Sequence, residues 1–211
     1  MSKTGVASFL AALGLSATLL AGGARAELIT YQIQVNTSGL TGTTGYLDFE
    51  FNPGSMPYDT GSATITGFTG DGTFGAALPD VGAVSGTLPG TLTIDDTDAT
   101  NDYTQAYTYG TFFDVSVTLD IPTVSGTAFG GHDFTLDVED SGFNSLLSSS
   151  FPAVEIDLNA TTGAPTVTNN TSSVSANGYA TVSSAPEPAT FALVGMGVGV
   201  VVWRRRGVGR G

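Results

Sequence analysis

Five oxygen-bearing side chains fall within eight positions at Asp95, Asp96, Asp98, Asn101 and Asp102, and hard divalent cations such as calcium take that kind of ligand. No cofactor is expected, and calcium is the one for which the chain offers a candidate site. The spacing is not that of an EF-hand, because Thr100 and Asn101 stand where the third ligand and the turn glycine would be and no glutamate closes the loop. A solvated acidic turn is the competing reading of the same residues. Tyr103, Tyr107 and Tyr109 follow with one parity, so in an extended segment their rings share a face, where they would stack on a sugar or pack across strands.

Little else could carry catalysis. His132 is the single histidine, so no second imidazole exists to complete a common zinc site, and Gly130-Gly131-His132-Asp133 reads as a turn. No G-x-S-x-G elbow, phosphate-binding loop or H-E-x-x-H is present. With nineteen acidic residues in the chain, some carboxylate pair will stand at glycosidase spacing by chance, so pairs alone carry no weight. Asp137, Glu139 and Asp140 read as the polar face and end of a strand.

The elements that must position these residues are short and extended. Apolar residues alternate in 28–35, 46–51, 62–68, 87–94, 112–121, 133–138, 154–158 and 178–182, and no stretch between them sustains helical spacing over three turns. Asp71-Gly72 and Asn177-Gly178 suit tight hairpins, and Pro53-Gly54 and Pro89-Gly90 mark further turns. Eight to ten strands of this kind predict an all-β ectodomain, an antiparallel β-sandwich of jelly-roll-like form. It spans 27–160 and is followed by a Ser/Thr/Asn-rich spacer, 161–185, that holds a candidate last edge strand at 179–182.

Charge narrows the partners. All six cations lie at Lys3, Arg25, Arg204, Arg205, Arg206 and Arg210, while Glu187 is the one acid beyond 27–185. The ectodomain therefore carries eighteen carboxylates and no Lys or Arg, which excludes nucleic acid as a partner and disfavours anionic lipid. The chain has no cysteine, so neither disulfides nor thiolate metal sites support it. Roughly 160 residues are enough for a single core of ordinary size.

Both ends read as targeting segments. Lys3, an apolar stretch from 6 to 20 and then Ala24-Arg25-Ala26 form a signal peptide, 1–26, cut by signal peptidase after Ala26. At the other end Pro186-Glu187-Pro188 precedes an apolar run, 189–203, and the cluster Arg204-Arg205-Arg206, with 207–211 as a cytoplasmic tail. Fifteen helical residues reach roughly 22 Å, short of a ~30 Å hydrocarbon core, which makes a weak permanent anchor. The arginines hold the C-terminus in the cytoplasm and the ectodomain outside.

The three-part tail at 186–206 resembles the PEP-CTERM sorting domain, with Ala185 standing where valine is usual. The resemblance implies a substrate of exosortase, a membrane-embedded cysteine peptidase that removes the tail near the Pro-Glu-Pro motif, in Gram-negative bacteria that also make exopolysaccharide. The segments 45–54 and 101–103 are similar to those of a PEP-CTERM group without assigned activity, which supplies no functional residues. The expected protein is a non-enzymatic one, passing through the inner membrane to the cell surface or extracellular matrix, with exopolysaccharide as a partner. A carbohydrate-binding module is the alternative, ahead of a secreted hydrolase or an ice-binding protein.

Overall fold

A computed structural model describes residues 27–54, 61–121, 131–149, 152–158, 165–172 and 176–184. Ala24, Ala26, Pro186, Glu187, Pro188, the apolar run 189–203 and Arg204, Arg205 and Arg206 lie outside the described residues. Among the described residues no helix is long and apolar enough to cross a membrane.

The described residues fold into twelve strands: β1 (Glu27–Asn36), β2 (Thr44–Pro53), β3 (Ser62–Gly70), β4 (Thr73–Ala77), β5 (Ala83–Gly86), β6 (Leu92–Asp95), β7 (Asp102–Thr108), β8 (Phe112–Ile121), β9 (His132–Asp140), β10 (Val154–Leu158), β11 (Pro165–Asn169) and β12 (Tyr179–Ser184). They form two antiparallel six-stranded sheets, β12-β1-β8-β3-β6-β5 and β11-β10-β9-β2-β7-β4. The all-β sandwich expected from the alternating pattern is what forms. The pairing is nested, β1 with β8, β2 with β7 and β3 with β6, while β4 pairs with β7 in one sheet and β5 with β6 in the other.

Alternation decides what goes inside. Ile33 and Val35 on β1, Leu47, Phe49 and Phe51 on β2, and Phe113, Val115, Val117 and Leu119 on β8 are buried at every second position. Strand β3 breaks the rhythm, with a register shift between Thr66 and Thr69 and a positive φ at Gly67. The extra residue reverses parity after Ile65 and turns Phe68 inward. There Phe68 meets Phe113 at 5.3 Å, Phe74 at 4.7 Å and Tyr107 at 5.9 Å between ring centres, an aromatic cluster that joins the two sheets.

Several sequence expectations are corrected. Asp71-Gly72 is not a hairpin but a crossover, since β3 and β4 belong to different sheets. The Asp71 carboxylate instead accepts bonds from the Thr111 amide at 2.7 Å and hydroxyl at 2.6 Å. The run 87–94 is not one strand: Leu88 is buried beside the Tyr103 hydroxyl, Pro89-Gly90 turns the chain, and only Leu92–Asp95 is extended. The region 161–185 holds the edge strand expected at 179–182, which forms as β12 beside β1, and also contributes β11, paired with β10, where only spacer was expected.

The two ends of the folded unit are neighbours. Strand β1 opens at Glu27, and Ser184 at the end of β12 pairs with Tyr31. Glu27 and Ser184 therefore lie toward the same end of the first sheet.

Candidate functional site

The outer face of the second sheet concentrates acid. On β2, Leu47, Phe49 and Phe51 point into the core, so Asp48 and Glu50 point out. On β9, Leu136 and Val138 point in and Asp137 and Glu139 point out. Register then sets Asp48 opposite Asp137, Tyr46 opposite Glu139, and Glu50 opposite Asp102 of β7. Residues directly opposed on one sheet face have Cβ atoms about 4.5–5.5 Å apart, a distance at which like charges destabilise. Asp133 on β9, with Glu155 and Asp157 on β10, extends the array, Asp133 lying opposite Asp157.

The turn after β9 closes over part of this face. Asp140 accepts bonds from the amides of Gly142 (2.7 Å) and Asn144 (3.0 Å), which hold its carboxyl below the usual range. Phe143 takes a left-handed φ of 62° and stacks its ring on Tyr46 at 4.8 Å, a backbone cost of about 1–2 kcal/mol that the stack helps offset. The Ser145 hydroxyl donates to Asp137 at 2.8 Å. In consequence Asp48, Asp137 and Glu139 are only 8%, 1% and 4% exposed.

Carboxylates crowded without a single cation resist ionising. Burial, then the charge of Asp102 and a hydrogen bond shared with it, push Asp48 up to about 9. Burial followed by the charge of Asp137 pushes Glu139 up to about 7. Burial followed by the charge of Asp157 raises Asp133 to about 6, and burial raises Asp137 and Glu50 as well. One oxygen each of Asp137 and Glu139 is buried without a hydrogen-bond partner. Among the described residues no three His, Asp or Glu side chains are arranged to cage a metal ion; the carboxylates are spread over β2, β7, β9 and β10.

The five residues read as a calcium loop do not come together. Strand alternation sends Ile94 and Asp96 inward and Asp95 outward on the first sheet. Asp96 is buried, accepting the Gly61 amide at 2.7 Å and lying 2.5 Å from His132 Nδ1. Asn101 is also buried and bonds the backbone, giving its amide hydrogens to Phe51 (3.1 Å) and Asp98 (2.8 Å) and accepting the Ala83 amide at 2.9 Å. Asp98 is exposed. Asp102 alone joins the acidic face, on β7.

His132 is not in a turn but opens β9, 2% exposed, its ring stacked on Phe51 at 5.5 Å. With Asp96 it ties the end of β6 in one sheet to β9 in the other. The tyrosines share a face as their spacing indicates, but that face is the core: Tyr103, Tyr107 and Tyr109 are 1%, 1% and 2% exposed. Tyr109 donates to the carbonyls of Tyr46 (2.7 Å) and Glu139 (2.8 Å), and Tyr103 donates to Gln105 at 2.6 Å. No ring of the three is available to stack on a sugar. The clustering of Asp48, Asp102, Asp137 and Glu139 escapes sequence reading, because it depends on which strands pair.

Residues 184–206 match the family model of the PEP-CTERM protein-sorting motif. No curated protein and no solved structure matches the chain.

Proposed function

We propose, from the PEP-CTERM sorting motif at residues 184–206, that this chain is an exported protein of the bacterial cell surface or extracellular matrix, trimmed by an exosortase and acting without catalysis among exopolysaccharide. The carrying observation is that the matched segment begins at Ser184, the last residue of β12, which pairs with Tyr31 near the start of β1. A signal peptide ending at Ala26 and a membrane helix at 189–203 would then anchor the precursor by one end of the sandwich, with the opposite end facing away from the inner membrane. Signal peptidase releases the first anchor and exosortase the second.

Two features of the folded unit support the matrix role. The His132–Asp96 pair is sealed from solvent, where no substrate reaches it. The carboxylates spread over β2, β7, β9 and β10 suit loose bridging by divalent cations to other matrix components. The nesting of β1 with β8, β2 with β7 and β3 with β6 supports a jelly-roll-like reading of the sandwich.

Expression in a Gram-negative host with and without a co-expressed exosortase tests the reading. The tail should be lost near Pro186 only when the exosortase is present, and Glu187→Ala should hold the protein in the inner membrane. Equal processing of the variant, or release without the enzyme, contradicts it.

A further inference from the structure

The outer face of the first sheet is built differently from its acidic counterpart. Register across β12, β1 and β8 makes two adjacent rows, Tyr179–Asn36–Phe112 and Thr181–Gln34–Asp114. These six side chains line a cleft of about 290 Å³, near the lower end of the range for small-molecule sites. The rows stand at the end of the sheet away from Glu27 and Ser184.

The rings in this cleft differ from the other aromatic residues of the fold. Phe68, Phe74, Tyr107 and Phe113 pack against one another in the core. Phe112 is 44% exposed, Tyr179 is half-buried, and among the described residues neither contacts another ring. Phe112 and Tyr179 are two strand spacings apart, about 10 Å, with Asn36 between them. Asn36 Oδ1 accepts from the Ser38 amide (3.1 Å) and hydroxyl (2.8 Å), which leaves its two N–H donors for a ligand. Gln34 offers both a donor and an acceptor, Thr181 a hydroxyl and Asp114 acceptors.

That combination fits one chemistry. A pyranose ring presents a C–H face that stacks on an aromatic ring and a rim of hydroxyls that both donate and accept. A peptide would not need rings flanking an amide row, and an apolar ligand would leave Gln34, Asn36 and Asp114 unpaired. The face continues along the strands in hydroxyl and amide groups, with Gln32 donating to Ser116 at 3.0 Å and the Thr30 and Thr118 hydroxyls 3.0 Å apart. Thr118 is in turn opposite Thr64, and Thr64 opposite Thr93, so a polymer leaving the cleft meets further polar groups. Residues 27–185 contain no Lys or Arg, and Asp114 stands in the cleft itself. A uronate or sulfated chain would therefore be repelled.

We infer that the cleft between Phe112 and Tyr179 binds a neutral polysaccharide, the two rings stacking on its sugars and Gln34, Asn36 and Asp114 bonding their hydroxyls. This deepens the matrix reading by naming the partner, and it rests on that reading only for where the protein meets the polymer. The test is retention of the exported chain, purified in a detergent without sugar head groups, on insoluble β-1,4-glucan, β-1,3-glucan, α-1,4-glucan and mannan, with alginate as the anionic comparison. With chelator present, so that no divalent cation bridges the acidic face to a uronate, at least one neutral polymer should retain it and alginate should not. Phe112→Ala and Tyr179→Ala should each weaken retention at least tenfold, Gln34→Ala less, while Phe143→Ala, an exposed ring in the turn after β9, should change nothing. Retention on no neutral polymer, preference for alginate, or equal loss with Phe143→Ala would overturn the assignment. Cleft variants should still lose the tail to exosortase, so a failure here is distinct from a failure of sorting.

Discussion

Raising the pH from 5 to 8 should weaken this fold, and Asp48 is the residue that dominates the effect. Asp137 on β9 stands directly opposite it, and Asp102 on β7, Glu139 on β9 and Glu50 on its own strand are neighbours on the same face, with no cation among them. Burial and the Asp102 charge raise its carboxyl from an ordinary 3.8 to about 9. In the unfolded chain the same group gives up its proton near pH 4. The folded state thus holds a proton that the unfolded state has lost, so stability is full below about pH 4 and falls as pH rises toward the folded value. One such proton is worth about 1.4 kcal/mol per pH unit, or about 4 kcal/mol between pH 5 and 8. Glu139 and Asp133 shift in the same direction, but Asp133 is partly exposed and water screens its share. For a domain of this size 1 kcal/mol moves Tm by about 2–4 °C, so Tm should drop by roughly 10 °C over the interval. Asp48→Asn removes the titrating proton while keeping an amide in its place. It should raise Tm at pH 8 and flatten the slope by about one proton. Melting curves by circular dichroism, at constant ionic strength and with chelator, measure both. A Tm that is level or rising from pH 5 to 8, or an Asp48→Asn slope equal to that of the parent, refutes the reasoning.

Three further outcomes follow. Millimolar calcium should raise Tm at pH 8 more than sodium chloride of equal ionic strength and should flatten the pH slope, since cations replace protons on the acidic face; equal effects of the two salts would count against it. Phe68→Ala removes the ring that the β3 bulge turns into the inter-sheet cluster and should cost about 3 kcal/mol in urea unfolding. A loss under 1 kcal/mol would show that the cluster does not join the sheets. Gly178 has φ 141°, and a Cβ there would lie 1.9 Å from the Asn36 carbonyl. Gly178→Ala should therefore loosen β12, read as faster amide exchange at Tyr179 to Ser184 with β8 unchanged; unaltered exchange on β12 would reject the role.

How far the sequence discloses this molecule depends on whether the information is local. The alternation at Leu47, Phe49 and Phe51, or at Phe113 through Leu119, is a local period and predicts both strand and buried face. Strands β4, β5 and β11 are short or exposed along most of their length, so their composition does not separate them from turns. Tyr103, Tyr107 and Tyr109 show the opposite limit. Parity correctly puts them on one side, but only the pairing of β7 between β2 and β4 decides that the side is the core. The acidic face and the Phe112–Tyr179 cleft are both assembled from strands distant in sequence, and neither has a spacing that could reveal it. Asp96 and Asn101 mislead for a related reason, since a run of oxygen ligands reads as a cage until alternation sends its members in different directions.

Intact mass measurement of the protein recovered from the envelope or medium of an exosortase-bearing host tests the central claim most directly. One species is expected, beginning at Glu27 and ending close to Pro186, with the apolar run and the arginine cluster gone. A soluble cytoplasmic species that still carries Met1 and Gly211 would contradict it.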